Sequence, residues 1–172
     1  MGKIILILGG ARSGKSTYCI QMAKNKKGRV AFIATCEPKD LEMKKRISIH
    51  RTTRPGHWTT FEEPINIAQR VKKTGSSFKT IIIDCLTLWI TNLMMKNIDA
   101  VSIERETRRI LKDLKKAKAD SIIVTNEVGL GIVPANSLAR DFRDIAGRVN
   151  QMVAGNSSEA YFMISGIPLR IK

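Results

Sequence analysis

The sequence predicts an α/β fold: a mostly parallel sheet with helices on both faces. Three observations predict it. Short apolar runs recur along the chain, each too short to be a helix and unbroken by the polar alternation of a half-exposed strand. Segments with helical periodicity stand between them. Turns rich in glycine, proline and serine separate the two kinds of element, with no repeat, low-complexity tract or interdomain linker, so residues 1–172 read as a single domain.

Residues 3–8 are the first strand, and a helix from Lys15 ends near Lys27-Gly28, basic residues followed by glycine as helix ends prefer. Arg29 to Thr35 is a second buried strand that runs out into Cys36-Glu37-Pro38. Asp40 is placed to cap a helix carrying Leu41, Met43, Lys44, Ile47 and His50, which Pro55-Gly56 prevents from continuing. His57 to Glu62 alternates as a short extended segment. Pro64 suits the first turn of a helix reaching Lys73, and Gly75-Ser76-Ser77 is a linker. Thr80 to Cys85 is a buried strand, followed by helices at about 87–96 and 102–118. Ser121 to Thr125 is a strand opening into the glycine-bearing loop Asn126 to Gly131. Ser137 is placed to cap a long helix whose residues Leu138, Phe142, Ile145, Val149 and Met152 share one face. Glu159 to Ile164 is the last clear strand, and Pro168 to Lys172 a short tail.

The stretch that organises the chain is Gly9-Gly10-Ala11-Arg12-Ser13-Gly14-Lys15-Ser16, between the first strand and the first helix. Strand, glycine loop and helix are the context that a phosphate-binding P-loop requires. Glycines let successive N–H groups turn toward phosphate oxygens, and the helix N-terminus adds partial positive charge. Lys15 is placed to reach the β- and γ-phosphates, and the Ser16 hydroxyl to ligate Mg²⁺. The fold is therefore read as a P-loop NTPase-like domain that binds a nucleotide. Asp84 closes an apolar, buried strand, where the second acidic group of such a site holds Mg²⁺ or its water.

Hydrophobic content of 43% and charged content of 26% are those of a globular domain, and no apolar run approaches a membrane span. No cleavable signal peptide is visible, and three scattered cysteines without a CxxC fit a reducing cytoplasm rather than a disulfide framework or zinc site. The net charge of +15 implies attraction for anionic substrates. A nucleic-acid partner is not expected, because aromatics are only 5% and do not interleave with the basic clusters to stack bases.

The two histidines, His50 and His57, are seven residues apart, but Pro55-Gly56 between them argues against a shared metal site. His50-Arg51-Thr52-Thr53-Arg54 offers two arginines and two hydroxyls after an imidazole, which suits a polyphosphate clamp beside a nucleophile. On the residues alone, a surface histidine in a basic loop is the favoured reading.

Several blocks together resemble one family. They are GGARSGKS; Arg46, Ile47, His50, Arg54, Pro55 and Trp58; Thr91-Asn92-Leu93; VTNEVGLGIVP from Val124 to Pro134; LARDFRDIAGRVNQ from Leu138 to Gln151; and the closing SGIP, Ser165 to Pro168. The family is the bifunctional adenosylcobinamide kinase/adenosylcobinamide-phosphate guanylyltransferase of cobalamin biosynthesis. The resemblance implies two reactions. ATP or GTP phosphorylates the aminopropanol hydroxyl of adenosylcobinamide, and GTP then gives GMP to a histidine that passes it to adenosylcobinamide phosphate, with release of pyrophosphate. The histidine carries over to His50, and Ile49 before it removes the ambiguity of relatives that have two adjacent histidines there. The nucleotide site carries over to Gly9–Ser16, Cys36, Glu37, Pro38, Arg51, Thr52, Thr53, Arg54, Glu62 and Asp84, the last of which is Glu in some relatives. The resemblance also implies a homo-oligomer, a trimer. Guanine selection is not legible, since the N-K-x-D pattern fails at Gly28; the loop Asn126 to Gly131 is the candidate for one wall of a corrinoid site. Two other readings stay open at this level: a P-loop small-molecule kinase without nucleotidyl transfer, and a non-catalytic nucleotide-dependent module on nucleic acid.

Overall fold

A computed structural model describes residues 2–38, 41–75 and 77–172. The strands are β1 (Ile4–Gly9), β2 (Val30–Ala34), β3 (Thr59–Glu62), β4 (Thr80–Asp84), β5 (Asp120–Asn126), β6 (Glu159–Ile164) and β7 (Ile167–Arg170). The helices are α1 (Lys15–Lys24), α2 (Leu41–Thr52), α3 (Ile67–Thr74), α4 (Leu86–Met94), α5 (Ala100–Lys116) and α6 (Ser137–Asn156). The strands form one sheet in the order β3-β2-β4-β5-β1-β6-β7, parallel throughout except for β7.

The continuous apolar runs follow from burial on both faces. Because side chains alternate along a strand, Ile4, Leu6 and Leu8 of β1 join Ile81, Ile83 and Ile123 on the face covered by α3, α4, α5 and α6. Ile5 and Ile7 join Phe32, Ile82 and Ile122 on the opposite face, packed against Cys19, Ile20 and Ala23 of α1 and against Trp58. Each fully buried isoleucine of these strands contributes on the order of 2 kcal/mol of transfer free energy. Trp89 of α4 is buried, and its indole N–H donates to Ile65 O at 2.9 Å, so the largest core side chain leaves no polar atom unpaired.

Register brings the candidate site residues to one edge. Gly9 of β1 pairs with Asn126 of β5, and Asp84 of β4 pairs with Ala34 of β2 and Val124 of β5. The carboxyl ends of the four central strands therefore open side by side, where ligands bind in parallel sheets.

Several expectations change at element ends. Residues 167–170 form β7, an antiparallel hairpin partner of β6, rather than a tail: the turn at Ser165-Gly166 has φ of 49° and 86° and reverses the chain. The cap of α6 is Asn136, whose side chain accepts from Ala139 N at 3.2 Å, and Ser137 is the first helical residue. Leu138 then points outward, 57% exposed, while Ala146, Asn150 and Val153 join Ile145 and Val149 on the buried face. Asp99 caps α5 through Ser102 N at 2.8 Å, so that helix starts two residues earlier than its periodicity suggests. Pro64 precedes α3 instead of opening it, because Glu63 Oε1 accepts from Ile65 and Asn66 N–H and forms a turn. The expected cap Asp40 and the linker residue Ser76 lie outside the described residues, as does the side chain of Met43.

At the opposite edge of the sheet, Lys26 pairs with Asp120 at 2.6 Å and Lys3 N donates to the same carboxylate at 2.9 Å. Burial pushes this carboxyl up, but the Lys26 hydrogen bond, the Lys3 amide and both ammonium charges outweigh it and leave it below its ordinary value. A depressed carboxyl contributes stability above its unfolded value, and that contribution is lost as pH falls through the folded one. Asp120→Asn is therefore expected to cost up to about 1 kcal/mol near neutral pH. The gap should close as pH drops below about 4, near the unfolded carboxyl value. Denaturant midpoints of the two proteins across pH check this, and a constant gap would contradict it.

Candidate functional site

The loop between β1 and α1 has the backbone that its glycines require. Gly9 adopts φ 151°, and a Cβ there would stand 2.6 Å from Met163 O. Gly14 adopts φ 92°, and its Cβ would stand 3.1 Å from the Cα of Gly166. Side chains at either position would push the loop off β6 and off the β6–β7 turn. The Gly166 N–H donates to Ser13 O at 3.0 Å, so the terminal hairpin grips the loop from one side. On the other side Glu127 N donates to Gly9 O at 3.0 Å.

Lys15 is buried, and its ammonium turns into the loop, donating to Gly10 O at 2.5 Å and Ser13 Oγ at 3.4 Å. Burial lowers its pKa, and the neighbouring Cys85 and Asp84 act in the opposite direction. Ser16 Oγ donates to Asp84 Oδ2 at 3.2 Å, which joins the first turn of α1 to the tip of β4. Burial raises the Asp84 carboxyl; His50, Arg54, Ser16 and Lys15 oppose it, in that order. His50, Arg54 and Lys15 come from α2, the turn after α2 and the P-loop, so Asp84 is the point on which these segments converge.

Among the described residues no group of three His, Cys, Asp or Glu could hold a metal by itself. The Ser16–Asp84 pair nonetheless fits Mg²⁺. A hydroxyl and a carboxylate in contact at the foot of a phosphate loop are the protein's usual share of a Mg²⁺ shell completed by phosphates and water.

His50 is exposed at the last turn of α2, and Arg51 forms an ion pair with Glu62 at the end of β3. The guanidinium of Arg54 stacks 3.8 Å above the Phe32 ring. Arg51, Arg54, Gly56, Trp58 and Glu62 line a cavity of about 280 Å³. The Thr52 and Thr53 hydroxyls donate to Ile49 O (2.8 Å) and His50 O (3.0 Å), so they cap the helix end instead of offering protons outward. Cys36, Glu37 and Pro38 follow β2 at the same sheet edge, where Thr35 N donates to Asp84 O at 3.1 Å. His57 is exposed beyond Pro55-Gly56, beside the buried Trp58.

Two buried polar groups missed at the level of sequence hold the edge in place. Thr35 Oγ1 donates to Cys85 O and accepts from Cys85 N, both at 2.8 Å, and Asn92 Nδ2 reaches Thr35 O and Pro64 O at 2.8 and 3.2 Å. The second group closes on itself. Asn126 N donates to Thr87 Oγ1 (2.7 Å), the Thr87 and Thr125 hydroxyls bond at 3.1 Å, Thr125 Oγ1 donates to Asn150 Oδ1 (2.9 Å), and Asn150 Nδ2 donates to Asn126 O (3.1 Å). The sequence signals were Thr91-Asn92-Leu93 and Asn150, which lie in matching blocks; nothing local marked Thr35 or Thr87. The loop after β5 carries exposed apolar side chains, Leu130 at 80% and Ile132 at 96%.

Residues 5–171 match the family described as cobinamide kinase / cobinamide phosphate guanyltransferase. The bifunctional adenosylcobalamin biosynthesis protein of Pseudomonas aeruginosa is 39% identical over 167 residues, 97% of this chain and 96% of its own. Its counterparts in Escherichia coli and Salmonella typhimurium are 37% and 38% identical over 98% of this chain and 99% of theirs. Among solved structures, the KaiC-like protein PH0186 of Pyrococcus horikoshii aligns with a TM-score of 0.54 at 13% identity, covering 94% of this chain and 70% of that one, a likeness of fold. With a match over nearly its whole length and relatives of this identity, the chain belongs to the cobinamide kinase / cobinamide phosphate guanyltransferase family.

Proposed function

We propose that this protein phosphorylates adenosylcobinamide with ATP or GTP, and then transfers GMP from GTP through His50 to adenosylcobinamide phosphate. The observation that carries the proposal is the convergence of His50, Arg54, Lys15 and Ser16 on Asp84. A nucleophile and a phosphate cradle meet there, which a kinase alone does not need.

In the first reaction the loop amides of Gly9–Ser16 and Lys15 hold the β- and γ-phosphates. Ser16 and Asp84 would hold Mg²⁺, which supplies charge neutralisation across the phosphates. In the second, the His50 imidazole forms the bond to the α-phosphorus, and the bond to the β-phosphate oxygen breaks with its electron pair leaving on pyrophosphate. Arg51 in the last turn of α2 and Arg54 in the turn after it balance the charge developing on the phosphates. An oxygen of adenosylcobinamide phosphate then displaces the imidazole and takes the GMP. Cys36, Glu37, Pro38, Thr52, Thr53 and Glu62 complete the nucleotide's surroundings, the threonines by positioning the end of α2. The exposed Leu130 and Ile132 suit one wall for a bulky corrinoid.

The proposed assembly is a homotrimer acting in the cytoplasm. Exposed Ile167 and Leu169 on β7, with Ile171 just after it, support self-association, and sedimentation of the purified protein tests it. No helix among the described residues is long and apolar enough to cross a membrane.

His50→Ala is expected to abolish covalent label from α-labelled GTP while leaving phosphorylation of adenosylcobinamide within a few-fold, since that step uses no protein nucleophile. The label on the parent protein should be acid-labile and base-stable, as a phosphoramidate is. His57→Ala should keep the label. Label that persists in His50→Ala and disappears in His57→Ala would assign the nucleophile to His57; no label on any of the three would leave a kinase only.

A further inference from the structure

We propose that Glu127 is the carboxylate that takes the proton from the substrate hydroxyl in the phosphoryl-transfer step. The inference rests on the kinase reading of the P-loop and adds to it a residue that neither the nucleotide site nor the GMP transfer uses.

β5 is the immediate neighbour of β1 in the sheet, and its last residue, Asn126, is in register with Gly9. The next residue, Glu127, donates its N–H to Gly9 O at 3.0 Å. Its backbone is thus bonded to the residue that opens the phosphate loop, on the side away from the β6–β7 turn. The closed ring of Asn126, Thr87, Thr125 and Asn150 fixes the strand end just before it.

Glu127 Oε1 accepts from Gly129 N at 2.7 Å, which orients the carboxylate. A Cβ on residue 129 would stand 2.9 Å from that oxygen, so glycine keeps room for it. Among the described residues Oε2 makes no hydrogen bond or ion pair, and the side chain is only half-buried. It can therefore accept a proton from a ligand and return it to water.

The other carboxylates on loops and ends at this edge are spent or distant. Asp84 bonds Ser16 among cations. Glu62 pairs with Arg51, and Glu63 binds the Ile65 and Asn66 amides and pairs with Arg70 at 3.8 Å. Glu37 follows β2, which is separated from β1 by β4 and β5.

The step balances without another reactant. The substrate hydroxyl oxygen forms a bond to the γ-phosphorus, and the bond from that phosphorus to the β–γ bridging oxygen breaks. Its electron pair stays on the nucleoside diphosphate, and the hydroxyl proton moves to Glu127 Oε2. GMP transfer asks nothing of this carboxylate, since its nucleophiles are an imidazole and an already ionised phosphate.

The test is Glu127→Gln, which preserves shape and an acceptor for Gly129 N–H. With adenosylcobinamide and ATP, kcat should fall about 100-fold or more, with KM within a few-fold. Covalent GMP on His50 and GMP transfer to supplied adenosylcobinamide phosphate should stay within a few-fold, which also shows that the variant is folded. Glu127→Asp should recover part of the lost kcat. A Gln variant with kinase kcat within a few-fold of the parent would overturn the inference, as would equal loss of both reactions. A parent protein that accepts GMP on His50 but does not phosphorylate adenosylcobinamide would instead overturn the kinase reading beneath it.

Discussion

The site depends on the phosphate loop being clamped from both sides by main-chain hydrogen bonds. Gly9 O is taken by Glu127 N from β5, Ser13 O by Gly166 N from the β6–β7 turn, and Gly10 O by Ser13 N and Lys15 Nζ from within. These carbonyls are therefore already paired within the protein. That leaves the remaining amides of the loop and those of the first turn of α1 for phosphate oxygens. Preorganised donors of this kind need no rearrangement when charge develops on a phosphate. The same clamp explains why glycine is required at residues 9 and 14, whose missing side chains are where Met163 and Gly166 pack.

Around the clamp, the sheet supplies position and the basic residues supply charge. Parallel register sets Asp84 within reach of Ser16, and α2 and the turn after it bring His50 and Arg54 toward it. Burying a carboxylate there is costly, and its cationic neighbours offset the cost. The same arrangement suits two chemistries at different phosphorus atoms of one triphosphate. In one a hydroxyl attacks at γ, and in the other an imidazole attacks at α while pyrophosphate remains in the loop. Part of the +15 net charge lies elsewhere, as on α5, whose Lys and Arg outnumber its Asp and Glu even though Arg108 and Arg109 pair with Glu104 and Glu106.

The parts legible in the sequence are those fixed by local pattern. β1, β2, β4 and β5 read as buried strands because they are apolar on both faces, and the P-loop reads because its glycines and lysine are contiguous. Asp84 reads because an acid at the tip of such a strand has few other uses. Helix starts slipped where two capping residues adjoin, as at Asn136-Ser137, or where the cap precedes the apolar pattern, as at Asp99. β7 was hidden by Pro168 and by its exposed, alternating side chains, which resemble a tail until β6 pairs with them. Thr35, Thr87 and Asn150 act across separations of tens of residues, so no spacing reveals them. The role given to His50 came from the resemblance; its own neighbourhood, one imidazole in a basic loop, fitted a surface position as well.

The central claim is that one phosphate loop serves both reactions. Lys15→Ala measures it, with the rate of adenosylcobinamide phosphorylation and the rate of covalent GMP attachment followed in the same preparation. Loss of a transition-state phosphate contact typically costs a few kcal/mol, so both rates should fall by roughly a factor of hundreds. Either rate remaining within a few-fold of the parent protein would show that this reaction holds its triphosphate elsewhere.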